Sequence, residues 1–376
     1  MTYRAGVVGF GRVGRNHAEA FLGAEHVELG AVADVDEALV AELGDRWGVS
    51  EPHRYHGHAE MLASEELDVV SVATPGTYHR DHVLDTVAAA TDPDSSGDSD
   101  AEHGPDVIWC EKPVATSVRD AEEMVVACDD AGVDLVVNHS RRFATAFETL
   151  REMLDDGLLG DLRSAHVVAG GELLNIGTHY VDLLLYLLDT RVSDVRGGVV
   201  EPTDSHGETR FEGGGTLVME NGTVAHLNPV SGSGHRLHLE GTEGRLSIPL
   251  SIARDADTEW HYWSADGDGG GAGRSGDCNG TEGDPAETLE AFWREDISGT
   301  HSTFEPGMVP AQTLFENGVE HLVDLLDGRA ENGAPGTRAT HGLEALTGLV
   351  VSEHTGSRVS LPLARPFREI SLAIER

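Results

Sequence analysis

Six residues, Gly9-Phe10-Gly11-Arg12-Val13-Gly14, stand between a short apolar run and the first helix-like segment, and they constrain this chain more than any other feature in it. In that context each glycine has its own reason. Gly9 permits a tight turn out of a strand, Gly11 lets backbone approach a pyrophosphate, and Gly14 lets a helix pack closely on the strand. The phosphates then sit at the positive helix N-terminus. Phe10, Arg12 and Val13 complete this candidate cofactor loop. Asp34 ends the next apolar run, twenty residues after Gly14. A carboxylate there accepts hydrogen bonds from adenosine ribose hydroxyls and repels a 2′-phosphate, which favours NAD over NADP. Arg12, close to the phosphates, keeps NADP open as the less favoured cofactor.

The first 140 residues repeat the same punctuation. Apolar runs at 5–8, 27–33, 67–73, 107–110 and 135–137 alternate with helical patterns at 15–22, 36–47, 78–90 and 117–131. Buried strands separated by helices imply a parallel sheet covered on both faces. Beyond residue 140 the texture changes. Helices are expected near 143–156, 178–188, 286–293, 309–326 and 342–354, with strands near 164–169, 215–219, 223–227, 236–240 and 245–248. Glycine and asparagine turn signals between these strands favour antiparallel pairing. The expected fold is α/β: a dinucleotide-binding Rossmann domain over 1–140, then an α+β domain over 141–376 built on a mostly antiparallel sheet. Two acidic or glycine-rich stretches, 91–106 and 265–284, read as surface loops.

With 66 acidic and 26 basic residues the formal net charge is −40. In dilute buffer such a surface repels itself, but at 1 M salt the Debye length falls to about 3 Å. The charge therefore reads as adaptation to a high-salt cytoplasm. Because the acidity is spread along the whole chain, nucleic acid is not an expected partner. No stretch reaches the ~18 apolar residues of a membrane span, so no membrane partner is expected, and no secretory signal pattern opens the chain. Cys110, Cys128 and Cys278 are too scattered for a disulfide framework, and no metal is expected.

Of the 26 basic residues 25 are arginine. The one lysine, Lys112, stands in Glu111-Lys112-Pro113 directly after the apolar run 107–110. A guanidinium keeps its proton, whereas an ammonium is tuned by burial and can release one. That makes Lys112 the first catalytic candidate.

The combination of Gly9 to Gly14, Ala73-Thr74-Pro75 with His79, and Glu111-Lys112-Pro113 resembles the Gfo/Idh/MocA oxidoreductase family. Further along, Asn138-His139-Ser140-Arg141-Arg142-Phe143 looks like its interdomain junction, and the segment 170–182 looks like its substrate segment. The resemblance implies that Thr74, Pro75, His79, Glu111 and Lys112 also serve the cofactor, and that Asn138, Arg142, Asn175 and His179 serve the substrate. It implies catalytic roles for Lys112 and His179. His179 takes the hydroxyl proton as hydride leaves the same carbon, and Lys112 holds that oxygen. A sugar-like small molecule and a homodimer or homotetramer are implied as partners, the latter through an apolar outer face of the second-domain sheet.

Two departures stand out. Asn175 occupies the position of the family's aspartate, and an amide accepts no proton; Asp182, three residues after His179, is a substitute partner for the imidazole. The interval between Gly160 and Gly170 leaves room for one strand only, which hints at an open site for a bulky substrate. The leading expectation is an NAD-dependent dehydrogenase of a secondary alcohol on a sugar, cyclitol or sugar derivative. Asn175 leaves open a non-catalytic NAD-dependent sensor, or redox-neutral glycosidase or epimerase chemistry with retained NAD.

Overall fold

The computed structural model describes residues 2–91, 104–205, 207–229, 235–250, 260–264, 274–275, 302–304 and 311–375. The expected loops at 91–106 and 265–284 lie almost entirely outside these residues, and the expected helix at 286–293 and Cys278 lie wholly outside them. By contacts the chain divides into two units, Met1–Phe143 with Gln312–Leu343, and Ala144–Ala311 with Glu344–Arg376.

In the first unit, strands β1 (Tyr3–Val8), β2 (Val27–Ala33), β3 (Arg54–Tyr55), β4 (Val69–Val72), β5 (Val107–Glu111) and β6 (Asp134–Asn138) form one sheet in the order β3-β2-β1-β4-β5-β6. Every pairing is parallel, and the order is that of the dinucleotide-binding doubly wound fold. Helices α1 (Arg12–Gly23), α2 (Glu37–Trp47), α3 (His58–Ser64), α4 (His79–Thr91) and α5 (Val118–Ala131) connect the strands. Local chemistry sets their ends. The Asp36 side chain accepts from Ala38 and Leu39 amides at the start of α2, Ser117 accepts from Asp120 at the start of α5, and Gly48 and Gly132 close both helices in the left-handed region. The sequence pattern counts Asp36 and Ser117 as helical; they are the caps. It passes over β3 and α3, which are short.

The core of this unit centres on Trp109, fully buried, with the Phe21 and Phe315 rings edge-on at 5.6 and 6.4 Å. Phe315, Val319, Leu322 and Val323 of the helix Ala311–Leu326 belong to that same core. Asn317 donates to the Phe143 carbonyl at 2.7 Å, and Val137 donates to the Ala334 carbonyl at 2.8 Å. The expected division at 140/141 therefore misplaces 312–343: apolar contact with Trp109 and Phe143 returns this stretch to the first unit.

The second unit contains α6 (Thr145–Asp155), β7 (Leu162–Val168), α7 (Thr178–Leu187), β8 (Val192–Ser205), β9 (Glu208–Met219), β10 (Val224–Asn228), β11 (Arg236–Gly241), β12 (Gly244–Pro249) and β13 (Trp260–Ser264). Its sheet runs β13-β12-β11-β7-β10-β9-β8, and three short strands at its ends with a fourth, Ile374–Glu375, paired to β9 bring it to eleven among the described residues. Between β13 and β8 all pairings are antiparallel except β7 with β10. Ala165, Val167, Leu217, Ala225, Leu227, Leu237, Leu239, Leu246 and Ile248 are buried on one face. The opposite face differs from the apolar patch that the sequence suggests. It carries His166, His226 and His238 in register across three adjacent strands, with Arg236 and Thr216 beside Val168, Val218 and Val224. Period-two alternation puts these polar residues outward because their neighbours fill the core.

Candidate dinucleotide site and proton-transfer residues

The glycine loop leaves β1 through Gly9, whose φ is +93° and whose amide donates to the Ala33 carbonyl at 2.9 Å. A Cβ at Gly14 would lie 1.8 Å from the Gly9 carbonyl oxygen, whereas one at Gly11 would meet nothing within 4 Å. Gly14 is thus required by packing. Gly11 borders open space. Helix α1 starts there with no side-chain cap and no acidic residue in its first turn, so its amides and positive end suit an anion. The side chains of Phe10 and Val13 turn to the core, which leaves their backbone to the loop. The Phe10 ring is buried edge-on against Trp47 at 5.4 Å, and Val13 packs on the same core. Arg12 is exposed.

Asp34 does more than the sequence suggests. One carboxylate oxygen accepts the Phe10 amide at 2.6 Å and the other accepts the Asp36 amide at 2.9 Å. It fixes the glycine loop and the approach to α2. A carboxylate has about four acceptor positions, so capacity for ribose hydroxyls remains. These features together fit a bound dinucleotide.

At the end of β4, the Thr74 hydroxyl is 2.9 Å from His82 Nδ1, and the Thr74 methyl is the group that a Cβ at Gly9 would strike. Pro75 is exposed, and its carbonyl accepts the Tyr78 amide. His79 is wholly buried, with Nδ1 2.8 Å from the Pro113 carbonyl and Nε2 2.8 Å from the Thr74 carbonyl. Burial pushes its pKa down, against the pull of those carbonyls. Its ring is spent on tying two loops together, so any service to a cofactor comes through Thr74 and Pro113.

Glu111 is likewise consumed internally. Its Oε1 accepts from His17 Nε2 at 2.9 Å and from Asn138 Nδ2 at 2.6 Å, and its Oε2 accepts the Lys112 amide at 3.1 Å. Burial pushes the Glu111 pKa up, but His17, Lys112 and Asn138 together hold it below the usual carboxylate value. Asn138 stands opposite Glu111 in the β5–β6 register, and its amide nitrogen is directed at that carboxylate rather than left for a substrate. Lys112 is half-buried at the strand end. Arg142, also expected at the substrate, is buried in a 3-10 turn and donates to the Gly333 carbonyl at 3.0 Å. That bond clamps the turn onto the returning chain.

Asn175 and His179 belong to the second unit. Asn175 lies in a five-residue π turn, Leu173–Gly177, and His179 in the first turn of α7. Both are half-buried, and Asp182 is buried one turn further on. Single π turns interrupt helices mostly at functional positions. Glu172, just before the turn, is held by Arg210 of β9 at 3.0 Å, and Arg210 also pairs with Glu208.

Sequence reasoning missed His17 and Ser71. Ser71 Oγ lies 2.8 Å from His17 Nδ1 in the middle of β4, and both residues are fully buried. The signal was present, since His17 falls on the stripe Gly14, His17, Ala18, Phe21 that α1 buries.

Residues 3–92 match the sequence model of the oxidoreductase family Gfo/Idh/MocA, NAD-binding Rossmann fold. The chain is 26% identical over 268 residues to myo-inositol 2-dehydrogenase of Thermotoga maritima, covering 65% of this chain and 74% of that protein. It is 29% identical over 202 residues to D-apiose dehydrogenase of Paraburkholderia graminis, covering 49% of each. Among solved structures, scyllo-inositol dehydrogenase from Lactobacillus casei, with bound NAD(H) and scyllo-inositol, superposes with a TM-score of 0.68 at 16% identity, covering 96% of this chain and 99% of that one. The uncapped glycine-loop helix, the strand order and the family match agree: residues 3–92 carry the NAD-binding Rossmann fold of the Gfo/Idh/MocA oxidoreductase family.

Proposed function

We propose that this protein is an NAD-dependent dehydrogenase acting on a secondary alcohol, or the matching ketone, of a sugar, cyclitol or sugar derivative. The observation that carries the reading is the bare N-terminus of α1 behind Gly9, with Asp34 tied to the same loop. Relatives named as inositol and apiose dehydrogenases support the substrate class. NAD, when bound, supplies the hydride acceptor or donor. Lys112 holds the substrate oxygen and stabilises charge developing on it, while His179 takes or returns the hydroxyl proton. Asp34 selects NAD over NADP through repulsion of a 2′-phosphate.

The deciding experiment is an absorbance screen for reduced nicotinamide in molar KCl, offering NAD and NADP separately with sugars, cyclitols, sugar acids and nucleotide sugars. NADH formation with one class establishes the dehydrogenase and names its substrate. Asn175, in place of the family's aspartate, favours a second reading in which NAD is retained without net turnover, as a sensor or in redox-neutral chemistry. Tight NAD binding with no NADH across the panel selects that reading. The protein is further proposed to be a homodimer or homotetramer of a high-salt cytoplasm, the composition supporting the high-salt setting.

A further inference from the structure

We propose that His17 is a positioning residue that acts through Glu111 on Lys112. A ladder of buried polar groups crosses four elements of the first unit: Ser71 of β4, His17 of α1, Glu111 of β5 and Asn138 of β6. The Glu111 carboxylate can only accept, so Nε2–H is the donor to it, and Ser71 Oγ lies 2.8 Å from Nδ1 on the other side of the ring. The ring packs at a tilt against Trp109, with centroids 3.8 Å apart and 35° between planes, and Phe315 closes a second side at 5.4 Å. His17 therefore has one orientation. Its donor, with Asn138, occupies Glu111 Oε1 and turns Oε2 toward the Lys112 amide. A buried carboxylate this well satisfied is a rigid acceptor. The backbone from which the Lys112 side chain departs is thus fixed by a residue 95 positions earlier, acting through the Glu111 carboxylate.

A histidine merely filling space beneath Trp109 would be replaceable by any ring of similar size. The ladder predicts otherwise. His17→Phe keeps the ring and loses both hydrogen bonds, whereas His17→Gln retains a donor that can reach Glu111. Because Lys112 is the only lysine, protein labelled with 15N-lysine shows a single backbone amide signal, from the very N–H that Glu111 accepts. In H17F that signal should shift toward the position of a weaker hydrogen bond, and its exchange with solvent should accelerate about tenfold or more, as expected when a bond to a charged acceptor is lost. E111Q should move it in the same direction, and H17Q should stay near wild type. If H17F does not fold, Ser71→Ala, which frees the Nδ1 side of the ring, should move the signal by a smaller amount in the same direction. An amide unmoved in folded H17F, or unmoved in S71A where H17F fails to fold, overturns the proposal.

The consequence for turnover rests on the dehydrogenase reading, and the amide measurement does not. With a substrate in hand, H17F should lower kcat about tenfold with KM and NAD affinity within about twofold, and H17Q should restore it. A shifted amide with unchanged kcat retires the positioning role. Loss of the catalytic reading itself would show separately, as full activity in Lys112→Met.

Discussion

At the scale of single residues, Lys112 is the group on which the proposed chemistry depends most. Replacing it with methionine preserves the stem and removes the ammonium, so kcat should fall about 10²- to 10⁴-fold while NAD binding by titration calorimetry stays near wild type. Equal activity would remove Lys112 from the mechanism. The sequence singled out Lys112 because its composition excludes lysine elsewhere, and Asp34 and the glycines because their spacing has a mechanical reason. It does not show which partners the buried polar residues find. Glu111, Asn138, Arg142 and His79 carry the chemistry of binding residues, yet the side-chain hydrogen bonds described above run to partners inside the first unit. Which partner a polar side chain finds depends on tertiary register, and one-dimensional spacing does not contain it. His17 and Ser71 were passed over for the complementary reason: they sit in apolar patterns that read as core.

At the scale of elements, the strand-to-helix turn separates two kinds of glycine. Gly14→Ala forces a methyl against the Gly9 carbonyl and should lower the thermal midpoint markedly, consistent with the ~1–3 kcal/mol of an overpacked contact. Gly11→Ala should leave the midpoint nearly unchanged and weaken NAD binding, because its methyl enters the space that the phosphates need. Thermal melts with and without NAD distinguish the two. Helix α4 carries a pH dependence. Burial, with His58 and His79 nearby, pushes the His82 pKa down from 6.5 to about 4. The unfolded chain therefore binds this proton more readily than the folded one, so the stability contribution is full above about pH 6.5 and is lost as pH falls toward 4. Denaturant titrations between pH 7 and 4 should show a steeper decline in wild type than in His82→Asn, whose amide oxygen can still accept from Thr74. Parallel slopes would refute this. Legibility at this scale followed periodicity. The buried parallel strands were found almost residue for residue, whereas β8 was not, since Gly197, Gly198 and Pro202 break its pattern. The structure supplies the reason for one of them: a Cβ at Gly197 would approach the Leu349 carbonyl to 2.5 Å, where the helix Gly336–Thr355 crosses the strand.

At the scale of the whole molecule, the formal charge of −40 predicts a thermal midpoint that rises steadily between 0.1 and 2 M KCl, as screening removes self-repulsion. A midpoint independent of salt would detach the composition from any high-salt setting. The first unit is also discontinuous, and this has a consequence for synthesis. A nascent chain that has just emerged through Phe143 holds all six strands of the parallel sheet but lacks Phe315, Val319, Leu322 and Val323, and so leaves Trp109 and its neighbours without their cover. Almost the entire protein must leave the ribosome before the nucleotide-binding half can close. Cells making this enzyme therefore have to shelter an unfinished sheet through the translation of more than 160 further residues, and its order of assembly runs against its order in the gene.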